Sequence, residues 1–507
     1  MAFSELHWSA QSAYPILGVL QLLPLGAMAM MLLVGQSRRV LLLGVIAAAL
    51  ELLVALDLYR LYDHASPVMQ FAERFQLFGP FGYHAAADGL TVLFVLLNAV
   101  LTLLVVLYSH VRGLQPLSRV LIMVFGVEAT LMSLLVTVDL FWFLLMSALQ
   151  LLPVGYLVWR WATSPERDMM SIRFLQFMGT GLLLLLVGTL MLGWNYADAT
   201  GGGWSFDLFQ LSSVEVSTPI RSLTFFLLFY GLAVRTPLFP LHGWLPLVAE
   251  HGSIAVAPVF LLGLKTGIYG MLRYVFPLMP EAVLQWHPYV VAFAVTGVFY
   301  AALLALLQVN LRRLLAFAVV SHTGVLVIGL FSLGELSFEG SVMLAVNFGL
   351  AITGLAFMSG LVYKRTGTML LNRLGGLFDQ IPVIGIAFLV AALSIVGMPG
   401  TPGFDAVHLV LEDSMHRFGA LVTIAAALGN VVAAGFLLLA FQRAFLARHS
   451  DGGPKHRVEP PSALEQAVAV MVILVLLGTG FFSEPWLELT EQSMKGLSAL
   501  YATTGAH

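Results

Sequence analysis

The chain contains no cysteine, and only 10% of its 507 residues are charged. The absence of cysteine excludes disulfide bonds, thiolate catalysis and iron–sulfur ligation within this polypeptide. Any electron transfer must therefore take place in another chain. Ordinary soluble domains carry about 25% charged residues, whereas this chain is 59% hydrophobic. It lacks the polar stretches from which a soluble domain could be built.

Long apolar segments occupy nearly the whole length of the chain. Runs of about 18 or more apolar residues recur, and each is long enough to cross a bilayer as a helix. The first ten residues, MAFSELHWSA, lack the basic region of a cleavable signal peptide. We expect an all-α polytopic membrane protein with about fourteen transmembrane helices.

The distribution of lysine and arginine supports this count and gives an orientation. With fourteen spans, the odd-numbered loops contain sixteen of the 24 Lys and Arg residues, and the even-numbered loops contain five. Positively charged residues collect in cytoplasmic loops. We therefore expect a multi-pass protein of the inner (cytoplasmic) membrane of a prokaryote, with both termini on the outer face.

Several ionisable residues lie inside the expected spans, where a charge is costly and marks a functional site by default. Arg235 and Lys265 are separated by about one helix length of apolar sequence. Lysine can exchange a proton in a desolvated site, whereas the guanidinium of Arg235 stays charged and can only set a field or bind an anion. Glu51 and Asp57 are expected to lie near the membrane interface. The sequence predicts a proton relay formed by Glu128, Arg235, His242, Lys265, His322, Asp405 and His408.

Two expected spans are interrupted by proline and glycine. Pro237 and Pro240 interrupt the seventh span, and the segment GMPGTPG, which contains Pro399 and Pro402, interrupts the twelfth. A broken helix frees backbone groups at membrane depth, which is tolerated only inside protein or beside a wet cavity. Such helices hold the ion sites of many transporters. Their separation by five spans predicts two inverted five-helix repeats.

The repeats divide the chain into four regions. We expect three N-terminal helices within residues 1–118, the first repeat (helices 4–8) within 119–280, and the second repeat (helices 9–13) within 281–450. The remaining residues, 451–507, are expected to form the last span and an interfacial C-terminal tail.

Five motifs carry a resemblance to a known family. The chain resembles the antiporter-like membrane subunits of respiratory complex I and of the Mrp cation/proton antiporters, and most closely the M-type complex I subunit. The resemblance covers roughly residues 80–450 and includes the segments ADGL (87–90), TPLFPLHGWLP (236–246), LKTGIYG (264–270), SHTG (321–324) and GMPG (397–400). It implies fourteen helices, two inverted repeats and a central row of ionisable residues that conducts protons.

The sequence departs from the family at several relay positions. Ala148 stands where the family has a glutamate in the fifth helix, and Arg235 stands where it has a lysine in the seventh. Phe348 and Val407 replace a histidine and a glutamate of the second repeat. Because Glu128 belongs to the same repeat as Arg235, we hypothesise that it replaces the missing carboxylate and pairs with Arg235.

Three functions are compatible with these residues. The first is a proton-translocating subunit of a complex I-like NADH/quinone oxidoreductase assembly. The second is a subunit that couples the proton gradient to inorganic-carbon (CO2 or bicarbonate) uptake, and the third is a scaffold that conducts nothing. The expected partners are other membrane subunits, a peripheral cytoplasmic subunit, the lipid bilayer and protons. The sequence has no nucleotide-binding glycine pattern or metal-ligand cluster, so we expect no catalytic site, cofactor, metal or nucleic acid in this chain.

The loop asymmetry predicts the location of the C-terminus. A reporter enzyme that works only in the cytoplasm, fused after His507, should be inactive, and the same reporter inserted in an odd-numbered loop should be active. Reporter activity in whole cells measures both. Activity of the terminal fusion would contradict the fourteen-span count or its orientation.

Overall fold

The computed structural model describes residues 4–35, 39–252, 266–447 and 458–504. Helices account for most of these residues, as the apolar segments predict. In chain order, the helices are α1 (Ile16–Val34), α2 (Val40–Leu61), α3 (Gly89–Val111), α4 (Leu117–Val136), α5 (Leu140–Arg160), α6 (Arg167–Thr200), α7 (Leu208–Leu211), α8 (Thr218–Arg235), α9 (Trp244–His251), α10 (266–278), α11 (Pro280–Leu306), α12 (Leu311–Leu330), α13 (Glu335–Thr366), α14 (Pro382–Val396), α15 (Pro402–Phe418), α16 (Ala420–Phe441), α17 (Ala463–Phe481) and α18 (Glu484–Thr504).

Eleven of these helices are long and apolar enough to cross a membrane, counted over the described residues. They are α1 to α6, α11 to α13, α16 with its terminal π turn Gln442–Leu446, and α17. The three other expected spans are the seventh (α8 and α9), the eighth (which ends in α10) and the twelfth (α14 and α15). The seventh and twelfth are broken, and residues 253–265 of the eighth lie outside the described ranges. The expected all-α polytopic membrane fold is confirmed.

A small sheet, absent from the sequence expectation, lies before α3. Strand β1 (Glu5–His7) pairs in parallel with β2 (Met69–Phe78), which pairs antiparallel with β3 (Phe81–Ala87). The two longer strands are joined by Gly79 and Pro80, and Gly79 has a φ of +53°. A two-residue connection with Gly between aromatic-rich runs is a hairpin signal, so this hairpin was visible in the sequence.

A cluster of charged side chains joins strand β1 to the β2–β3 hairpin and to the loop before α7, on one face of the helix bundle. The His84 ring lies between two carboxylates, with Nδ1 2.5 Å from Asp207 Oδ2 and Nε2 2.6 Å from Glu5 Oε2. Arg74 Nε lies 3.1 Å from Glu5 Oε1. Burial alone would raise the pKa of Asp207, but the hydrogen bond and charge of His84 hold it below its usual value.

Helix α18 lies on this same face. The Tyr501 hydroxyl donates to Phe276 O at 2.8 Å. The helix also crosses so close to the start of α3 that a Cβ on Gly89 would collide with the carbonyl oxygen of Leu489. Both described ends of the chain therefore share one face, which we call the terminal face.

The odd-numbered loops meet on the opposite face. Arg312 Nη1 donates to Thr163 Oγ1 at 2.7 Å, which joins the loops after α5 and α11. Lys364 Nζ at the end of α13 donates to Val111 O at the end of α3, at 2.8 Å. The odd-numbered loops thus lie on one face and both described ends of the chain lie on the other, as an even number of spans requires.

The start of α3 contains a buried ion pair suited to a stability test. Asp88 caps α3 by accepting from Thr91 N at 2.9 Å, and Arg273 Nη1 and Nη2 donate to its two oxygens at 2.9 and 2.6 Å. Burial alone would raise the pKa of Asp88, but the Arg273 charge and these hydrogen bonds hold it below its usual value.

Arg273→Gln should destabilise the folded chain by about 3–5 kcal/mol, because it leaves the Asp88 carboxylate buried without its cation. The matched control is Arg60→Gln, which removes an arginine whose side chain is 76% exposed and pairs with Asp57. That change should cost less than about 1 kcal/mol. Thermal unfolding of both variants in detergent measures the difference, and equal effects would contradict the assignment.

Candidate functional site

The first helix break lies where Pro237 and Pro240 predict it. Helix α8 ends at Arg235, and α9 begins at Trp244. Side chains supply hydrogen bonds for carbonyls in the last turns of α8: the Trp244 indole N–H donates to Val234 O at 2.9 Å, and the Thr236 hydroxyl donates to Leu232 O at 3.0 Å. The break is therefore satisfied inside the protein, as a membrane environment requires.

The second break lies within the GMPGTPG segment. Helix α14 ends at Val396, and Gly397 follows with a φ of +75°, a left-handed conformation that favours glycine. Pro399 lies in the interruption, and Pro402 is the first residue of α15. Proline at a first helical position needs no N–H partner. Both predicted interruptions are present in the structure.

Two asparagines missed by the sequence reasoning complete the second break. Asn347 of α13 donates to Ser394 O at 2.9 Å and accepts from the Ser394 hydroxyl at 2.5 Å. Asn430 of α16 donates to Val396 O at 3.2 Å. The Asn430 amide supplies a donor for the Val396 carbonyl at the end of α14, and the Asn347 amide supplies a second donor for the Ser394 carbonyl, which also accepts from Gly397 N at 3.2 Å. Buried asparagines in apolar spans were the available sequence signal.

The two broken helices run in opposite directions. Helix α8 follows the loop that carries Asp207, on the terminal face, and leads away from it. Helix α14 starts on the opposite face, where Phe378 N donates to Phe445 O at 3.0 Å, and α15 ends on the terminal face. This is the arrangement expected of inverted repeats with discontinuous helices.

Arg235, at the end of α8, is 5% exposed and contacts α5. Its Nη2 donates to Gln150 Oε1, and its Nη1 donates to Ser147 O at 3.4 Å. The sequence patterns did not indicate Gln150 or Ser147 as partners; in this helix they indicated only Ala148, the altered relay position. The guanidinium therefore has polar acceptors but no carboxylate within 4.0 Å among the described residues. It is a fixed positive charge beside the first break.

The hypothesis that Glu128 pairs with Arg235 is wrong. The Glu128 carboxylate accepts a hydrogen bond from the Thr102 hydroxyl of α3, and α4 packs against α2, which carries Glu51. The described residues hold no ion pair between Glu128 and Arg235, whose guanidinium donates to Ser147 and Gln150 of α5 instead. Glu128 lies on the side of α4 that faces α2 and α3, whereas Arg235 contacts α5. Glu51 lies midway along α2 and is fully buried, so the expectation that it lies near the membrane interface is wrong.

Two histidines lie buried near the breaks. His322, midway along α12, is 2% exposed, and its Nε2 has no hydrogen-bond partner among the described residues. Its ring centroid lies 5.2 Å from that of Phe348. His242 lies in the first break against the rings of Phe239 and Tyr300, and its Nδ1 also has no partner in the described ranges. Each ring therefore has one nitrogen that no group in the described ranges occupies.

Asp405 and His408 lie apart from these groups, at the terminal face. They line an open cavity of about 650 Å³ between α15 and α18, whose wall also contains Glu339. Asp405 Oδ2 accepts from the Ser483 hydroxyl at 2.7 Å. The two residues therefore line an open vestibule at the terminal face and do not belong to the buried part of the expected row.

Lys265, the central residue of the predicted relay, lies outside the described residues, and its role stays a prediction. The next described residue, Thr266, begins α10. Over the described ranges, no group of three or more His, Asp or Glu side chains is arranged to hold a metal ion.

Comparison with known proteins places these features in a family. The family model described as NADH:quinone oxidoreductase/Mrp antiporter, transmembrane, matches residues 137–433. The NAD(P)H-quinone oxidoreductase chain 4 1 of Synechococcus sp. (strain JA-2-3B'a(2-13)) is 30% identical over 483 residues, which cover 92% of this chain and 90% of the relative. The NADH-quinone oxidoreductase subunit M of Escherichia coli (strain K12) is 27% identical over 83% of each chain.

Solved structures of membrane complexes contain chains with the same fold. A chain of respiratory complex I from Thermus thermophilus with bound NADH superposes with a TM-score of 0.84 at 27% identity, covering 96% of this chain and 99% of that one. A chain of the Mrp complex from Dietzia sp. DQ12-45-1b also gives a TM-score of 0.84, covering 96% and 98% at 19% identity, which shows a shared fold. The chain therefore belongs to the NADH:quinone oxidoreductase/Mrp antiporter family of membrane subunits and is of the M type.

Proposed function

We propose that this chain is a proton-translocating, antiporter-like membrane subunit of a complex I-like assembly in which other subunits carry out the oxidation of NADH and the reduction of quinone. The observation that carries the proposal is the pair of oppositely directed broken helices, each with buried polar side chains beside it. Discontinuous helices that face each other in inverted repeats are a recurring plan for moving ions across a bilayer. The names of the M-type relatives support the redox assembly.

Each residue of the predicted relay that the proposal uses has a distinct part. Arg235 supplies a fixed positive charge, because its guanidinium does not release a proton at physiological pH. Lys265, one span further along the chain, takes up and releases the proton, and His322 continues the path into the second repeat. Gln150 holds the Arg235 guanidinium in place without neutralising it. Asp405 and His408 provide polar groups at the vestibule on the terminal face.

The surroundings of the subunit follow from the same proposal. Its partners are other membrane subunits and a peripheral cytoplasmic subunit, and it lies in the inner membrane of a prokaryote. The terminal face is the outer one, because the other face carries the loops richest in Lys and Arg. The relatives compared above are named as quinone oxidoreductase subunits, which favours the redox assembly over inorganic-carbon uptake. The next experiment distinguishes a proton-translocating subunit from a non-conducting scaffold.

Lys265→Ala should abolish proton-coupled activity of the assembled complex while leaving its assembly largely intact, because it removes both a relay group and the cost of burying a charge. Lys265→Arg should be nearly as damaging, since arginine keeps the charge but holds its proton. Proton uptake into vesicles containing the whole complex measures the effect, and Lys495→Ala, a change at an exposed residue of α18, is the control. Unchanged flux in both Lys265 variants would support the scaffold and overturn the proposal.

Gln150→Leu should weaken both assembly and flux, because it leaves the buried Arg235 guanidinium without its side-chain acceptor. A hydrogen bond to a charged group contributes about 1.5–3 kcal/mol. Gln150→Glu should preserve assembly, since an ion pair replaces the hydrogen bond, but should lower flux by neutralising the Arg235 charge. The yield of intact complex and its flux are compared with those of Gln210→Leu, at an exposed position. Full flux in Gln150→Glu would show that the Arg235 charge has no part in coupling.

A further inference from the structure

Two carboxylates at mid-membrane depth remain outside the proposed relay. Glu51 lies at the middle of α2 and is fully buried, although Leu50 and Leu53 beside it are exposed. Both of its carboxylate oxygens lack a hydrogen-bond partner among the described residues. A buried carboxylate normally pairs with a cation or accepts hydrogen bonds. Glu51 has neither, so its state needs a physical explanation.

A second buried carboxylate, that of Glu128, lies on a helix that packs against α2. Glu128, at the middle of α4, is also fully buried. Helix α2 packs so closely against α4 that a Cβ on Gly44, about two turns before Glu51, would collide with the side chain of Leu121, about two turns before Glu128, so the two carboxylates lie at the same level of adjacent helices. The Thr102 hydroxyl of α3 donates to Glu128 Oε2, whereas Glu128 Oε1 has no partner in the described ranges. The Asn98 amide, one turn away on α3, lies near the same carboxylate without a well-formed hydrogen bond. Three helices thus bring two acidic groups together in an otherwise apolar region.

Among the described residues, no cation pairs with either carboxylate. Helix α1, which packs against α2 and α4, carries no ionisable side chain, and the other nearby helices carry theirs toward their ends or, for α18, along a helix that lies on the terminal face. Neither carboxylate forms an ion pair or a hydrogen bond with any of these groups. These other groups are Asp57, Tyr59 and Arg60 on α2, Tyr108 and His110 on α3, Arg119 on α4, Tyr156 and Arg160 on α5, Glu335, Glu339, Tyr363, Lys364 and Arg365 on α13, Glu465 on α17, and Glu484, Glu488, Glu491, Lys495 and Tyr501 on α18.

Two neighbouring carboxylates cannot both ionise in such a place. Desolvation disfavours the charged form of each group, and a like charge next to it disfavours the charged form further. Paired carboxyl groups in other proteins resolve this conflict by sharing a proton. We propose that Glu51 and Glu128 form a proton-binding carboxyl pair, in which Thr102 fixes the orientation of Glu128. The pair holds at least one exchangeable proton at neutral pH.

This site lies beyond the proposed relay, because its residues belong to α2, α3 and α4 rather than to the broken helices and α12. It connects the N-terminal helices to the first repeat. Its proton is held by carboxyl groups alone, so the site exists whether or not the subunit conducts. A test that reads the protonation of the pair directly is therefore independent of any flux measurement.

Infrared difference spectroscopy of the full chain in lipid vesicles tests the pair. At pH 7 the wild type should show a protonated-carboxyl C=O band that shifts in D2O and is absent from the double variant Glu51→Gln with Glu128→Gln. Each single variant should lose part of the band, which keeps the test valid if the double variant does not fold. Thr102→Val should move the band, because the hydroxyl no longer donates to Glu128. The control Glu412→Gln, at an exposed residue of α15, should leave it unchanged.

Two results would overturn the proposal. Identical spectra for wild type and double variant at pH 7 would show that neither carboxyl holds a proton there. A band that disappears from the wild type on addition of Na⁺ at constant pH would show that the pair binds a metal cation in place of the proton. A band that persists in Na⁺ and exchanges in D2O supports the proton-binding pair.

Discussion

Hydrogen bonds from side chains to the backbone at the two helix breaks are the interactions on which the central part of this structure depends. A bilayer offers no water to an unpaired carbonyl, and each such group costs several kcal/mol. The Trp244 indole satisfies one helix end, and the Asn347 and Asn430 amides satisfy the other. Because these donors come from elsewhere in the bundle, each break is held open by tertiary packing. That arrangement leaves irregular backbone and polar side chains at membrane depth, where an ion path requires them.

The first break carries a positive charge that persists at any physiological pH, because the arginine guanidinium keeps its proton. Arg235 is held by the neutral Gln150 side chain and by a backbone carbonyl, so its positive field reaches its surroundings with little compensation. In the low-dielectric interior such a field acts strongly on neighbouring ionisable groups. At the second repeat, Phe348 packs against His322, whose Nε2 has no hydrogen-bond partner among the described residues. The proposed relay therefore combines a permanent charge in one half with a titratable ring in the other.

Ion pairs and charged hydrogen bonds hold the helix ends together on the terminal face. His84 joins two carboxylates from distant parts of the chain, and Arg273 neutralises Asp88 at the start of α3. Such ties fix the order of the helices that begin there. In the described part of the chain, Glu51 and Glu128 have no cation as a partner, and burial beside a like charge favours the protonated form of a carboxyl group. A buried carboxylate in this chain is thus ionised where a basic side chain lies beside it, and its protonated form is favoured where none does.

The sequence determined the class of fold, the number of spans, the division of the loops into two faces and both helix breaks, because these depend on local composition and on proline and glycine geometry. It also contained the Gly79–Pro80 hairpin signal. It did not determine which way a buried polar residue points. Spans that are apolar on all sides carry no periodicity to fix their rotation, so Glu128 could be assigned to the wrong neighbour, and Gln150 was overlooked beside Ala148. Only the tertiary structure, by packing α4 against α2 and α3 and α8 against α5, decided those pairings.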